Sequence, residues 1–286
     1  MSKIPCILIN DRFILYTEVG RGSFGRVFYG SDRNDENIKV AIKIEKKEPN
    51  KRYTLEKEYN TYTSLYDNKH HIPKIYWYGD QDEYKILVME LVGPNLENVL
   101  KDSSMDQTHK LSKTSSILIK CIECLEYLHS RNFIHRDIKP QNFLLKHDTN
   151  DQVYLIDLGL CKKYIKKGKH SSFSQSHKLV GTLRYASINC HNGYELSRRD
   201  DLQSLGYMII YMYNGYLPWQ NVGSNVSKEQ KYKLVGNIKK KTTNKELCKG
   251  LPKEFKLFLD DITSLEFDQK PNYQKYYDLF KKFIHD

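Results

Sequence analysis

The stretch His135-Arg-Asp-Ile-Lys-Pro-Gln-Asn142, followed by Ile156-Asp-Leu-Gly-Leu160, decides how this chain is read. The apolar runs 142–146 and 153–156 flank a polar turn, so the spacing predicts a loop running into a short hairpin. An Asp alone on a loop is ordinarily a turn former or a helix cap. Here it comes with company of the right chemical kinds. Asp137 offers a carboxylate that can accept a hydroxyl proton, and Lys139 a cation that can neutralise a travelling phosphoryl group. Asn142 and Asp157 offer oxygen ligands suited to Mg²⁺. Phosphoryl transfer asks a protein for positioning and charge rather than covalent help, which is what this set can supply.

Further partners lie upstream. Gly20-Arg-Gly22-Ser23-Phe24-Gly25-Arg-Val27 places glycines where a missing Cβ lets backbone amides approach phosphate oxygens. Such a pattern could open a dinucleotide-binding strand-to-helix turn, but the run Arg-Val-Phe-Tyr-Gly after Gly25 favours a second strand. The loop is therefore predicted to be a flap between two strands, over a nucleotide. Val40-Ala41-Ile-Lys43 falls in a third strand-like segment, 39–44. A lysine in a strand is ordinarily a solvated edge residue; after a glycine flap, Lys43 reads as the cation on the α- and β-phosphates, held by a carboxylate. The helical stretch 52–66 offers Glu56 and Glu58. Glu58 is assigned that role, and Glu56 reads as a surface charge near Arg52 or Lys57.

Composition narrows the alternatives. The chain has 286 residues, enough for two lobes sharing a cleft. No apolar run is long enough to span a bilayer, and the first ten residues, broken by Pro5, do not read as a secretion signal. A cytoplasmic protein, with nuclear residence open, is expected. The six cysteines are scattered rather than arranged as a disulfide framework, and Cys121 and Cys124 sit at core positions of a helical pattern. His129, in the same pattern, reads as a packing residue. The net charge of +11 points to an acidic partner. Lys162, Lys163, Lys166, Lys167, Lys169, Arg184, Arg198 and Arg199 are expected to border the cleft, whereas the run at Lys239, Lys240 and Lys241 reads as solubilising surface. No zinc finger, homeodomain or aromatic RNA-binding motif is evident.

The octapeptide with Asp157-Leu-Gly resembles eukaryotic-type protein kinases. Two further stretches, Gly181-Thr-Leu-Arg-Tyr-Ala-Ser-Ile-Asn189 and Ser197-Arg-Arg-Asp-Asp-Leu-Gln-Ser-Leu-Gly-Tyr207, resemble the casein kinase 1 family. That family has Ser-Ile-Asn where most protein kinases have Ala-Pro-Glu, and Leu217-Pro-Trp-Gln220 and Met89-Glu-Leu-Val-Gly-Pro94 are similar to its strings. The resemblance runs from about Phe13 to His285. It implies an ATP- and Mg²⁺-dependent serine/threonine kinase acting on acidic or phosphate-primed proteins. Met89 would guard the back of the adenine pocket, Glu90 and Val92 would offer backbone hydrogen bonds to the base, and Ile14, Leu15, Val27, Ala41 and Leu145 would sandwich it. An anion pocket maps to Arg184, Gln220 and Lys231. Asp201 would bond the backbone of the catalytic loop, while Asp200 would pair with a neighbouring arginine. Leu158 stands where that family usually has Phe.

The architecture expected is an α+β bilobal kinase fold, with a small antiparallel lobe over 1–91 and a larger helical lobe over 92–286, acting as a monomer. Helical periods at 112–131, 198–213, 252–265 and 273–284 support the helical lobe, with 102–109 a polar loop. Two other classes compete: a pseudokinase scaffold, which loss of Lys43, Asp137, Asn142 or Asp157 would favour, and a kinase-like enzyme for small molecules or a basic nucleic-acid binder. All four residues are present, and the segment 181–189 suits a peptide.

Overall fold

Runs rich in β-branched, aliphatic and aromatic residues from Phe13 onward fold as strands. The computed structural model describes residues 7–22, 25–48, 54–66, 71–99, 105–146, 152–175 and 178–284. They fall into two compact units: Met1–Pro94 with Leu144–Gly159, and Asn95–Phe143 with Leu160–Asp286.

In the first unit, strands β1 (Ile7–Ile9), β2 (Phe13–Gly22), β3 (Gly25–Asp32), β4 (Lys39–Lys46), β5 (Ile75–Gln81) and β6 (Tyr84–Glu90) form one antiparallel sheet, with helix α1 (Thr54–Leu65) between β4 and β5 in sequence. The spatial order β1-β2-β3-β4-β6-β5 keeps most chain neighbours paired. The sheet buries Ile9, Phe13, Val40, Ile42, Ile86 and Val88 in one cluster. Each such side chain contributes about 1.5–3 kcal/mol on leaving water. The β2–β3 register shifts near Glu18, so the two strands twist more strongly as they reach the glycine loop. Glu45 on β4 accepts the Leu55 N–H at 3.0 Å, so a strand side chain caps the first turn of α1. The same strand carries Lys43, two residues away on the same face.

In the second unit, α2 (Gln107–Ser130) leads into β7 (Phe133–Ile134). The helix begins earlier than its apolar period suggested, because Asp106 caps it by accepting the His109 N–H at 2.9 Å. Next along the chain come β8 (Phe143–Leu145) and β9 (Val153–Leu155), which pair as the expected hairpin and lie mostly in the first unit. Back in the second unit are β10 (Lys162–Lys163), β11 (Ile165–Lys166) and β12 (Lys169–His170). The helices α3 (Ile188–His191), α4 (Arg198–Asn214), α5 (Lys228–Lys241), α6 (Asn244–Leu247), α7 (Lys253–Ser264) and α8 (Tyr273–Lys281) complete the chain. Helix α4 runs through the core, burying Leu202, Leu205, Met208, Ile209 and Ile210. It approaches α7 closely at Gly206, where a Cβ would meet Leu259 Cδ2 at 2.5 Å. It ends at Gly215, at φ +79°, the left-handed cap that glycine adopts without a Cβ penalty. Edge-to-face pairs Phe258–Tyr276, at 5.0 Å, and Phe258–Phe280, at 5.6 Å, join α7 to α8.

Arg198 and Arg199, expected as free cations, are engaged within the second unit. Their guanidinium groups donate to the carbonyls of Asp268 and Leu265, each at 2.5 Å, and tie the start of α4 to the turn after α7. Cys121 and Cys124 are fully buried in α2, where burial pushes both thiols up.

Helix α3 packs on α5 at Gly236, where a Cβ would lie 2.9 Å from His191 Nδ1. Burial, and then the charge of Lys239, lower the His191 imidazole to about 3. An unfolded histidine takes up its proton near pH ~6.5. As pH falls through that value the unfolded chain gains a proton that native His191 refuses, so stability is lost on acidification. Urea midpoints are therefore expected to drop between about pH 7.5 and 5.5, either side of that value. The drop should be smaller in His191→Gln; an identical pH dependence in both proteins would show that native His191 protonates normally.

Candidate active site

In the first unit, Lys43 Nζ donates to Glu58 Oε2 at 2.7 Å and to Asp157 Oδ1 at 3.0 Å. Lys43 and Glu58 are both buried, at 8% and 1% exposure. Burial works to strip the Lys43 proton, but the fields of Glu58 and Asp157 outweigh it and hold the ammonium above the ordinary lysine range. Burial likewise pushes the Glu58 carboxyl up, against the pull of Lys43. Glu58 rather than Glu56 meets Lys43 because it stands on the buried face of α1 with Leu55, Thr61, Tyr62 and Leu65.

The same helix holds the Asp157-Leu-Gly turn. Tyr62 accepts the Asp157 N–H at 3.0 Å, and Lys57 Nζ donates to the Gly159 carbonyl at 3.1 Å. Leu158 is fully buried. Asp157 sits at φ +62°, a costly conformation for a residue with a side chain, of the kind that clusters at functional positions.

The glycine stretch joins β2 to β3 as expected, with Gly20 opposite Val27 and Gly22 opposite Gly25. A Cβ on Gly25 would meet the Ile44 carbonyl oxygen at 2.4 Å, whereas one on Gly20 would meet nothing within 4 Å. Gly25 thus serves strand packing, and Gly20 leaves open space. Ser23 and Phe24 lie outside the described residues. Ala41 and Met89 are directly opposed on β4 and β6, and Met89, Val92 and Leu145 are buried at 7–8% exposure. The Glu90 N–H donates to the Lys74 carbonyl at 2.8 Å and is thereby engaged within the sheet unit.

In the second unit, the catalytic-loop candidates converge on one carboxylate. Lys139 Nζ donates to Asp137 Oδ2, and Thr182 Oγ1 to Asp137 Oδ1, each at 2.7 Å. The Asn142 amide nitrogen donates to the Asp137 carbonyl at 2.8 Å, which leaves the Asn142 amide oxygen as an acceptor. Gly181, at φ +83°, lies so close that a Cβ would meet the Arg136 carbonyl oxygen at 2.3 Å. The loop itself contains a strained residue, Arg136 at φ +71°. Asp201, fully enclosed on α4, holds it: Oδ2 accepts the His135 N–H at 2.7 Å and Oδ1 the Arg136 N–H at 2.8 Å. His129 reinforces the carboxylate from the other side, its Nε2 lying 3.0 Å from Asp201 Oδ2 and its Nδ1 2.6 Å from the Tyr273 hydroxyl. Burial, opposed by the Asp201 carboxylate, keeps the His129 ring below the usual histidine range.

Asp200 differs from its expected role. It is buried and accepts from Ser187 Oγ at 2.7 Å, Asn189 Nδ2 at 3.0 Å and the Ser197 N–H at 2.8 Å, instead of pairing with an arginine. The polar residues of Ser187-Ile-Asn189 thus find their partner at the start of α4. Lys162 is also engaged, by Glu195 at 2.5 Å, which removes one charge from the basic cluster. Arg184 lies with its guanidinium 4.8 Å from the centre of the Tyr211 ring. The Gln220 amide oxygen accepts the Leu217 N–H at 2.5 Å, which leaves its NH₂ as a donor. Among the described residues neither Arg184 nor Lys231 makes an ion pair.

Sequence reasoning did not single out Thr182, Tyr62, Lys57 or Glu45. Thr182 had a signal, its place directly after Gly181; the other three are ordinary polar residues on amphipathic elements and carried none.

A carboxylate oriented by a lysine and a threonine, and a lysine clamped between two carboxylates, are the equipment of a phosphotransferase. Residues 13–278 match the family model described as "Protein kinase domain", and the chain belongs to that family. Its fold, an antiparallel sheet unit and a helical unit, is the protein kinase fold. It is a protein kinase, moving phosphoryl groups onto protein substrates, and domains of this family generally use ATP and Mg²⁺. No helix among the described residues is long and apolar enough to cross a membrane.

Proposed function

We propose that this kinase is a serine/threonine kinase of the casein kinase 1 type, acting as a monomer on acidic or already phosphorylated proteins. The observation that carries the catalytic part is the Asp137 carboxylate, oriented by Lys139 and Thr182 on a loop that Asp201 holds. In this reading Asp137 receives the hydroxyl proton of the acceptor residue, and Lys139 steadies the charge of the phosphoryl group in flight. Lys43, held by Glu58, takes the α- and β-phosphates. The glycine loop, with Gly20, Gly22 and Gly25, covers them, while Val27, Ala41, Met89, Glu90, Val92 and Leu145 receive the base.

The donor chemistry suits Mg²⁺, which keeps several waters and takes only one or two protein oxygens besides phosphate. Asn142, with its amide oxygen left as an acceptor, and Asp157 would hold the ion, which would supply neutralising charge to the phosphates.

Two observations favour the casein kinase 1 type. Ser187 and Asn189 are satisfied by Asp200, so the segment that replaces Ala-Pro-Glu is built into this fold. Arg184 and Lys231 are cations without carboxylate partners among the described residues, and Gln220 adds an amide donor; together they would reward a phosphate placed before the acceptor.

The test is radiolabelled ATP transfer to two peptides differing only in a phosphoserine three residues before the acceptor serine. The primed peptide should react faster. In Arg184→Ala, kcat/KM for that peptide should fall roughly 10–100-fold, the range for losing a hydrogen-bonded charge pair, with little change for the unprimed one. Equal losses on both peptides would reject the anion pocket.

A further inference from the structure

Lys239 stands in a lysine run that reads as solvated surface, yet it is 1% exposed, inside the helical unit on α5. Its Nζ donates to the Leu183 carbonyl at 2.9 Å and the Ala186 carbonyl at 2.6 Å. The rings of Tyr207 and Trp219 flank the ammonium at 5.3 and 5.1 Å. Trp219 Nε1 in turn donates to the Arg184 carbonyl at 2.8 Å. The carbonyls of Leu183, Arg184 and Ala186 are therefore all held from outside the segment. Among the described residues no carboxylate makes an ion pair with Lys239; the titratable groups around it are Cys190 and His191 on α3, Tyr207 on α4 and Lys240 on its own helix.

A buried ammonium without a counter-ion is a poor device for stability, since an apolar side chain of similar volume fills the space without desolvating a charge. What the charge adds is direction: it draws carbonyl oxygens to one point. We propose that Lys239 is a positioning residue for substrate, holding the backbone at Leu183 and Ala186 so that the segment between Thr182 and Ser187 presents its groups, Arg184 included, in one fixed geometry. The inference rests on the reading of 181–189 as the peptide-docking segment. It concerns substrates of either kind, primed or not.

Burial lowers the Lys239 ammonium to about 7, so its full charge is present below that pH and fades above it. The neutral amine still donates, but more weakly.

The test compares the wild-type kinase with Lys239→Met. Peptide KM should rise roughly tenfold, for primed and unprimed peptides alike, the scale of one or two buried carbonyls losing their donor. KM for ATP should stay within about twofold, because the change lies outside the nucleotide-binding residues. In the wild type, KM for an unprimed acidic peptide should climb from about pH 6.5 to 8.5, as the ammonium loses its charge, and the climb should vanish in the variant. Amide exchange over 182–190 should quicken. That readout needs no substrate, so it separates this proposal from the choice of primed peptides: a wild type indifferent to priming sinks the anion pocket and leaves Lys239 untouched. Unchanged peptide KM, with or without faster exchange, overturns the positioning role. Equal shifts in ATP and peptide KM with a lower Tm overturn it too, by making Lys239 a packing group. Should Lys239→Met fail to fold, Lys239→Gln, which keeps one donor, is read by the same measurements.

Discussion

Lys43→Met is expected to reduce kcat/KM for ATP at least ~10²–10³-fold, the usual result of removing one preorganised charge from a developing anion. It should also do something a surface lysine could not. Glu58 is 1% exposed, and deleting the partner of a buried ion costs about 3–5 kcal/mol while the ion stays charged. The carboxyl escapes part of that cost by taking up a proton, so its folded pKa rises further above the unfolded value near ~4.3. A group with a raised folded pKa contributes stability that is fully present below the unfolded value and is lost as pH rises through the folded one. The denaturant midpoint of Lys43→Met should thus lag further behind that of the wild type as pH rises from about 5 towards 8, because Glu58, already raised in the wild type, is raised more in the variant. Adding Glu58→Leu should restore stability without restoring turnover. Recovery of activity in the double variant would show that Lys43 matters only as a neutraliser of Glu58 and never meets phosphate.

Asp137→Asn should leave ATP binding nearly unaltered and lower kcat roughly 10²–10⁴-fold, the usual contribution of positioned proton transfer. The amide has similar size, but its NH₂ must face either Lys139 or Thr182, both of which donate to the carboxylate in the native protein. Single-turnover phosphorylation with nucleotide in excess isolates the chemical step. A variant that keeps wild-type single-turnover rates would remove Asp137 from the reaction and leave it a loop anchor only.

The two experiments probe separate halves of the chemistry. Lys43, Glu58 and Asp157 belong to the sheet unit, and Asp137, Lys139, Asn142 and Thr182 to the helical unit. If Lys43→Met keeps its activity while Asp137→Asn loses it as expected, the phosphate role is wrong and the acceptor role stands; with the opposite pair of results, the acceptor role falls and the phosphate role stands.

Residue identity was most informative where chemistry demands a particular atom in a particular order. The run His135 to Asn142, with Asp157 and Lys43, pointed to the protein kinase family because it brings a carboxylate, an amide oxygen and a cation together in a fixed order, and the family match covers all of these positions. Strands and helices were legible because burying one face imposes a period of about two or about 3.6 residues. Their ends were less so: Asp106 starts α2 ahead of its apolar period, since a cap depends on one hydrogen bond and leaves no periodic trace.

Charged residues were misread most often. Arg198, Arg199 and Lys239 looked like surface or cleft charges and proved to hold backbone carbonyls, and Asp200 looked like half of an ion pair and proved to be the anchor of Ser187 and Asn189. The one-dimensional string names the charge but not its partner, and each of these partners comes from an element distant in sequence or from the backbone, which every residue shares.

The order of residues alone therefore determined the class of chemistry, because each reagent for phosphoryl transfer is tied to a side-chain type that cannot be substituted without loss. Only the folded chain decided which charges are braces, as Arg198, Arg199 and Lys239 are for backbone carbonyls. That role depends on burial: a lysine or arginine enclosed among carbonyls and rings is held in place by the cost of leaving an unpaired dipole in a dry interior, and that cost exists only once the interior has formed.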